Sequence, residues 1–137
     1  MSSLRSFGRR LVGRAAAAPA RTLADLSIRP ARKNDAGRVV EMAALLSVDE
    51  HRPPPAFGIQ EFLRDGFGAS PAFCVIVAER SGHRRLVGYA LYYPAYDVES
   101  ASRGLHLADL WVEQPERRNG VGRALMGALA RECRRDG

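Results

Sequence analysis

The chain has 137 residues, of which 46% are hydrophobic, which is enough for one domain with a modest core and excludes a disordered or fibrous protein. No apolar run approaches the roughly 20 residues of a membrane-spanning helix, so we expect no membrane partner. The formal net charge is +6, but five of the 21 basic residues lie in the first 24 positions, where no acid occurs, which leaves 16 basic against 15 acidic residues. A nearly neutral body lacks the basic surface that nucleic acid binding requires, so we expect no nucleic acid partner.

Residues 1–24 have the composition of an organellar transit peptide. They are rich in arginine, contain serine, lack acids, and place Leu4, Phe7 and Leu11 on one helical face. No apolar run of about 7–15 residues follows the arginines, which excludes a secretory signal. The alternative is a tail rich in arginine and alanine, or a misassigned start. We predict a mitochondrial protein if this leader is a transit peptide and a cytoplasmic protein otherwise, with the folded domain at 25–137.

The body predicts seven elements in the order β-α-α-β-β-β-α. Hydrophobic periodicity and the positions of glycine, proline and capping residues set their bounds. Strands are predicted at 26–29, 72–80, 85–96 and 104–112, and helices from 34 or 35 to 47, at 59–67 and from 120 to the end. Pro94 is expected to end its strand or to mark a sheet edge. The order indicates an α/β fold with mixed strand directions.

Two cysteines, Cys74 and Cys133, are present, and no spacing of histidine and cysteine fits a zinc site. We therefore expect no metal. A disulfide between the two cysteines remains an alternative, but a reduced intracellular protein is the simpler interpretation.

The segment RRNGVGRAL, residues 117–125, lies where the last predicted strand gives way to the last helix. A helix N-terminus leaves about four amides without partners, and its dipole attracts anions. Gly120 and Gly122 allow a phosphate to approach the backbone. The segment is not a Walker A loop, and Leu125 stands where a dinucleotide fingerprint needs its third glycine. It is either a phosphate-binding turn or only a tight helix entry.

Residues Arg117 to Gly122 fit the pattern R/Q-x-x-G-x-G/A, the acetyl-CoA motif of the GNAT superfamily of N-acetyltransferases. The segments EFLRDGFGASPAFCVIVAER, LVGYALYYPAYD and LADLWVEQPERRNGVG resemble the matching parts of spermidine/spermine (diamine) N-acetyltransferases and their thialysine-acetylating relatives. The similarity covers about residues 27–135. It implies a GNAT fold and transfer of an acetyl group from acetyl-CoA to a small-molecule amine.

The resemblance assigns cofactor-binding and substrate-binding positions. It implies that the backbone of Leu110, Trp111 and Val112 pairs with the pantetheine arm and polarises the thioester carbonyl. The resemblance assigns the pyrophosphate to the loop and helix start formed by Arg118, Asn119, Gly120, Val121, Gly122 and Arg123, and Arg117, the first residue of the motif, is a further cofactor-binding candidate. The amine is assigned to Asp97, Asp109 and the tyrosines Tyr92, Tyr93 and Tyr96.

The chain departs from the family in two ways. Ala108 stands where relatives have a glutamate, which leaves Asp109 as the single acid of a pair, and His106 is a candidate substitute base because strict alternation places it on the face of Ala108 and Leu110. Asp109 would then share the face of Leu107 and Trp111 unless a β-bulge, which the family's strand has, redirects it. Glu113 and Glu116 are expected in a solvated loop.

The distal strands of a GNAT fold, with a tyrosine that protonates the leaving thiolate, are absent from these residues, so we expect a fragment or a truncated form. The leading hypothesis is an N-acetyltransferase acting on a diamine, polyamine or lysine-like amine, homodimeric at full length. The alternative is a non-catalytic module for acetyl-CoA binding or dimerisation.

Overall fold

The computed structural model describes residues 22–136, which form one antiparallel sheet flanked by helices. Its strands pair in chain order. They are β1 (Leu26–Pro30), β2 (Cys74–Arg80), β3 (Arg85–Asp97) and β4 (Ser102–Val112). The helices are α1 (Ala36–Asp49), α2 (Ile59–Asp65) and α3 (Val121–Asp136). The predicted element order is confirmed.

Local chemistry explains where the first two helices begin. The carboxylate of Asp35 accepts a hydrogen bond from the Arg32 amide at 2.7 Å, in a 3-10 turn directly before α1. At the start of α2, the amide of Gly58 donates to the Glu61 carboxylate at 3.0 Å. Both contacts satisfy backbone groups that a helix start leaves without partners. The sequence offers Gly66 or Gly68 as the stop of α2, and the structure has Gly66 as its C-cap.

The sheet has an apolar layer on each face, because strand residues alternate between the two sides. Val39, Met42 and Phe62 of α1 and α2 pack on one face around the buried Tyr89. On the other face, Val121 and Leu125 of α3 pack in the second cluster. We call these the α1 face and the α3 face. None of the helices in residues 22–136 is both long and apolar enough to cross a bilayer.

Two expectations about the strands need refinement. The α/β class is confirmed, but the mixed strand directions are not found within residues 22–136, where all three pairings are antiparallel. Strand β3 also does not end at Pro94, which pairs with Leu105. The pairing of β3 with β2 ends at Tyr92, so within residues 22–136 the only strand beside Pro94 is β4. The expectation that this proline marks a sheet edge is therefore confirmed.

A β-bulge interrupts the pairing of β3 with β4. Leu91 lies opposite Asp109, whereas the next residue, Tyr92, lies opposite Leu107, so Ala108 is the extra residue. Such an insertion inverts the alternation of side chains on its two sides. The bulge that the family resemblance implies next to Asp109 is therefore present in the structure.

The predicted leader, 1–24, lies mostly outside the described residues, and its role as a transit peptide stays a prediction. Its last three residues are described, and Leu23–Asp25 form a 3-10 turn before β1.

Candidate active site at the free edge of β4

Strand β4 pairs with β3 on one side, and its other side has no strand neighbour among residues 22–136; we call that side the free edge. The Glu113 amide donates to the Val87 carbonyl across the pair at 2.8 Å. Backbone groups alternate in direction along a strand, so Trp111 also faces β3, whereas Leu110 and Val112 direct their amides and carbonyls to the free edge. Of the three predicted pantetheine-binding residues, two therefore offer backbone hydrogen bonds there.

The loop after β4 leads from this edge into the start of α3. Arg118 and Gly120 adopt left-handed backbone conformations, with φ of 66° and 82°. Within the described part of the chain, the amides of Val121, Gly122 and Arg123 have no backbone acceptor, whereas the Ala124 amide donates to the Gly120 carbonyl. Open amides at a helix start fit an anionic group such as a diphosphate.

Space is available at the same place. A Cβ added to Gly122 would meet only the Val112 side chain, at 3.9 Å. A cavity of about 380 Å³ lies between the end of α1, the free edge and the loop, and its lining includes Asp49, Val112, Arg118 and Gly122. Six of the ten residues that the sequence assigns to acetyl-CoA therefore line one cavity: Leu110, Trp111, Val112, Arg117, Arg118 and Gly122.

Arg117 is exposed and also lines this cavity, but its side chain is held by other protein groups. Its Nε donates to the Val112 carbonyl at 2.7 Å, and its Nη2 donates to the Asp49 carboxylate at 2.5 Å. The guanidinium also lies 5.9 Å from the centre of the Trp111 ring. Arg118 and Arg123 are exposed and carry the positive charge that faces solvent.

Asp109 lies beside the bulge on the α1 face. It accepts a hydrogen bond from the hydroxyl of the fully buried Tyr89 at 2.9 Å. Burial and the neighbouring carboxylate raise the pKa of Tyr89 well above its usual value, so this phenol stays a donor. Leu107 and Leu110 both pack towards the α3 face, so Asp109 shares a face with Trp111 but not with Leu107.

The bulge also places His106 on the α1 face. Its ring stacks on Tyr93, with ring centroids 4.8 Å apart. Tyr93 shares a face with Tyr89 because it lies four positions further along the same strand. The expectation that His106 and Leu110 share a face is thus wrong, since the extra residue Ala108 lies between them. His106, Tyr93 and Asp109 therefore lie on the same face of the sheet, the α1 face.

The other predicted amine contacts do not join this group. Tyr92 is buried on the α3 face, so it does not line a common cleft with Tyr93. Asp97 ends β3 and accepts hydrogen bonds from the Glu99 amide and the Ser100 hydroxyl, which lower its pKa. It lies six residues along β3 from the partner of Asp109, or roughly 20 Å.

Sequence reasoning missed two acidic residues that organise the site. Asp49 is at the end of α1 and contacts Arg117 of the loop only because the two are packed together in the fold. No local sequence pattern indicates this contact. Glu116 is 1% exposed and pairs with Arg80 at 2.7 Å, so the expectation that it belongs to a solvated loop is wrong. An isolated acid between a proline and two arginines gives no signal of burial.

No group of three or more histidine, cysteine or acidic side chains in the described chain is arranged to hold a metal ion. Cys133 is exposed and Cys74 half-buried, and neither forms a disulfide in the structure.

Comparisons with known proteins agree with this geometry. The model of the acetyltransferase (GNAT) family matches residues 39–137. Thialysine N-epsilon-acetyltransferase of Mus musculus is 33% identical over 115 residues, which cover 79% of this chain and 67% of that protein. Spermidine/spermine N(1)-acetyltransferase-like protein 1 of Homo sapiens is 33% identical over 75 residues, 51% of this chain and 11% of that protein.

Solved structures show the same fold at lower identity. An aminoglycoside acetyltransferase from an uncultured soil metagenomic sample has a TM-score of 0.66 at 21% identity, covering 83% of this chain and 73% of its own. An acetyltransferase from Vibrio fischeri has a TM-score of 0.63 at 23% identity, covering 81% and 88%. The match to the family over most of the chain shows that this protein belongs to the GNAT acetyltransferase family and is an N-acetyltransferase.

Proposed function

We propose that this protein transfers the acetyl group of acetyl-CoA to a primary amine of a small diamine, polyamine or lysine-like substrate. One observation carries the proposal: the free edge of β4 adjoins the open amides of α3 around a single cavity of about 380 Å³. The relatives named for thialysine and for spermidine/spermine support the substrate class.

The residues at the opening fit acetyl-CoA. The amides of Val121, Gly122 and Arg123 would hold the diphosphate, with charge from the exposed Arg118 and Arg123. The outward backbone groups of Leu110 and the amide of Val112 would hold an extended amide-bearing chain. The Leu110 amide would donate to an oxygen that becomes negative during transfer. Acetyl-CoA, when bound, supplies an activated thioester.

The α1 face supplies groups for the amine. An aliphatic amine has a pKa of about 10, so it is mostly protonated at neutral pH and must lose a proton before its nitrogen attacks. Asp109 would bind the cationic form, held in place by Tyr89. Asp109 and His106, whose β3 partners are two residues apart, are both able to accept a proton.

The test is acetylation of defined amines by the 137-residue chain. We expect mass spectrometry to detect acetylated product with thialysine, lysine, a diamine or spermidine in the presence of acetyl-CoA. Asp109→Asn should lower kcat/KM by about tenfold or more, since it removes the charge that binds the amine. Asp65→Asn, which alters an exposed carboxylate paired with Arg64 at the end of α2, is the matched control and should leave kcat/KM unchanged.

One result would overturn the proposal, and two others would change the amine site that it assigns. Binding of acetyl-CoA without acetylated product from any of these amines would favour the non-catalytic binding module. Equal activity of the Asp109→Asn and Asp65→Asn variants would remove Asp109 from the site. A loss with Asp97→Asn for spermidine alone would indicate a long substrate that spans the roughly 20 Å between the two acids.

A further inference from the structure

Asp49 links three parts of the fold that are far apart in sequence. Its Oδ2 accepts a hydrogen bond from the Trp111 indole at 3.0 Å and another from the Arg117 guanidinium at 2.5 Å. These partners lie 62 and 68 residues away along the chain. We call Asp49, Trp111 and Arg117 the acid clamp.

The position of Asp49 is unfavourable within its own helix. It is the last residue of α1, where the helix dipole is negative and a carboxylate is destabilised. The last turn of α1 carries no basic residue, so Arg117 is the cation that offsets this repulsion. Hydrogen bonds from Arg117 and then Trp111 lower the pKa of Asp49, so these contacts favour the charged carboxylate.

The clamp determines which backbone groups remain open at the free edge. Arg117 can reach the Val112 carbonyl because Asp49 holds the other end of its guanidinium. The carbonyl of Val112 is therefore occupied, whereas the outward groups of Leu110 and the amide of Val112 stay open. Arg117 also directly precedes Arg118, whose left-handed backbone turns the chain towards α3.

We propose that Asp49 is a positioning residue for the acetyl-CoA site: through Arg117 and Trp111 it sets which part of the free edge of β4 pairs with the ligand and how the loop presents the amides of α3. This inference rests on the proposed function, because it assumes that acetyl-CoA occupies the edge and the loop. Arg117 then acts by holding the Val112 carbonyl and does not contact the diphosphate.

The sign of a change in affinity separates positioning from simple electrostatics. Acetyl-CoA is an anion, so removing a nearby carboxylate should by Coulomb attraction alone tighten its binding. If Asp49 positions the site, Asp49→Asn should instead weaken binding. Asp65→Asn is the matched control. Like Asp49, Asp65 is the last residue of a helix and its carboxylate binds an arginine, Arg64.

The experiment measures the dissociation constant for acetyl-CoA by calorimetry and the emission of Trp111, the only tryptophan in the chain. We expect Asp49→Asn to raise Kd by about three- to tenfold, the range for the net loss of one ordinary hydrogen bond, and to shift Trp111 emission without ligand. Asp65→Asn should change neither. Arg118→Gln should weaken binding and reduce its salt dependence, because that arginine is assigned to the phosphate.

The variant Arg117→Gln is a second test of the positioning role of Asp49. It keeps an amide donor for the Val112 carbonyl but loses the charge that Asp49 binds, so the double variant Asp49→Asn/Arg117→Gln should bind no more weakly than Arg117→Gln alone. The Asp49 side chain is 45% exposed, so we expect its variant to fold, and the thermal midpoint checks this. If Asp49→Asn did not fold at the working temperature, the double variant and Arg117→Gln would be compared at a lower temperature. A further loss of acetyl-CoA affinity in the double variant, additive to that of Arg117→Gln, would count against the clamp.

The outcomes separate the two proposals. Unchanged or tighter binding by Asp49→Asn, in a wild-type chain that binds acetyl-CoA, would overturn the positioning role and leave the proposed function intact. Failure of the wild-type chain to bind acetyl-CoA would overturn both.

Discussion

At the scale of single residues, the contact between Tyr89 and Asp109 connects the core with the predicted amine site. The phenol is fully buried between the sheet and α1, and its hydroxyl reaches the carboxylate at the bulge. A half-buried carboxylate without such a donor would lose both its orientation and part of its stabilisation. The hydroxyl of Tyr89 thus explains how an acid is kept on an otherwise apolar face.

Tyr89→Phe tests this role. It removes the hydrogen bond while keeping the ring, so we expect the free energy of unfolding to fall by about 1 kcal/mol in urea titrations and the KM for the amine to rise. Tyr96→Phe is the control for stability, because that ring is 61% exposed. An unchanged stability with Tyr89→Phe would mean that water satisfies Asp109 equally well.

At the scale of elements, the loop between β4 and α3 depends on its two glycines for different reasons. Gly120 has a φ of 82°, which an L-residue rarely adopts, and a Cβ there would lie 3.3 Å from Leu23. Gly122 lies in the first turn of α3 with open space at its Cα. The first glycine is needed by the turn itself, and the second leaves room at the mouth of the cavity.

We therefore expect opposite effects from two alanine substitutions. Gly120→Ala should lower the free energy of unfolding by about 1 kcal/mol or more because of backbone strain, and it should weaken acetyl-CoA binding. Gly122→Ala should leave stability unchanged or raise it by up to about 0.5 kcal/mol. Urea unfolding and calorimetry measure both quantities, and equal stability of the two variants would contradict the left-handed turn at Gly120.

At the scale of the whole molecule, a buried ion pair joins the loop to the centre of the sheet. Arg80, the last residue of β2, donates to Glu116 at 2.7 Å and to the carbonyl of Thr22. Glu116 belongs to the 3-10 turn directly before the cofactor loop. The pair thus fixes the loop and the start of the domain to the same strand end.

Glu116→Gln should be strongly destabilising, because it leaves the Arg80 charge buried without its counter-ion. We expect the free energy of unfolding to fall by about 3 kcal/mol, the low end for breaking a buried pair. Glu132→Gln alters an exposed pair with Arg135 at 3.7 Å and should change stability by less than about 0.5 kcal/mol. A small effect of Glu116→Gln would show that water reaches Arg80.

The sequence alone was sufficient for the element order, the α/β class, the glycine loop and the family. Each of these depends on local patterns: apolar residues repeat every two or about 3.6 positions, a glycine follows the second helix, and Gly120 and Gly122 lie three and five positions after Arg117. Patterns within one segment survive in any tertiary arrangement that buries the same faces.

Tertiary structure decided the details of the site. Because of the bulge at Ala108, His106 lies on the same face as Asp109. Tyr92 packs in the core on the other face, and Glu116 forms a buried ion pair with Arg80. Asp49 reaches Trp111 and Arg117 only when α1 packs beside β4. Such contacts join residues that are tens of positions apart, and the pairing of strands and the packing of helices determine them, so no local period in the sequence encodes them.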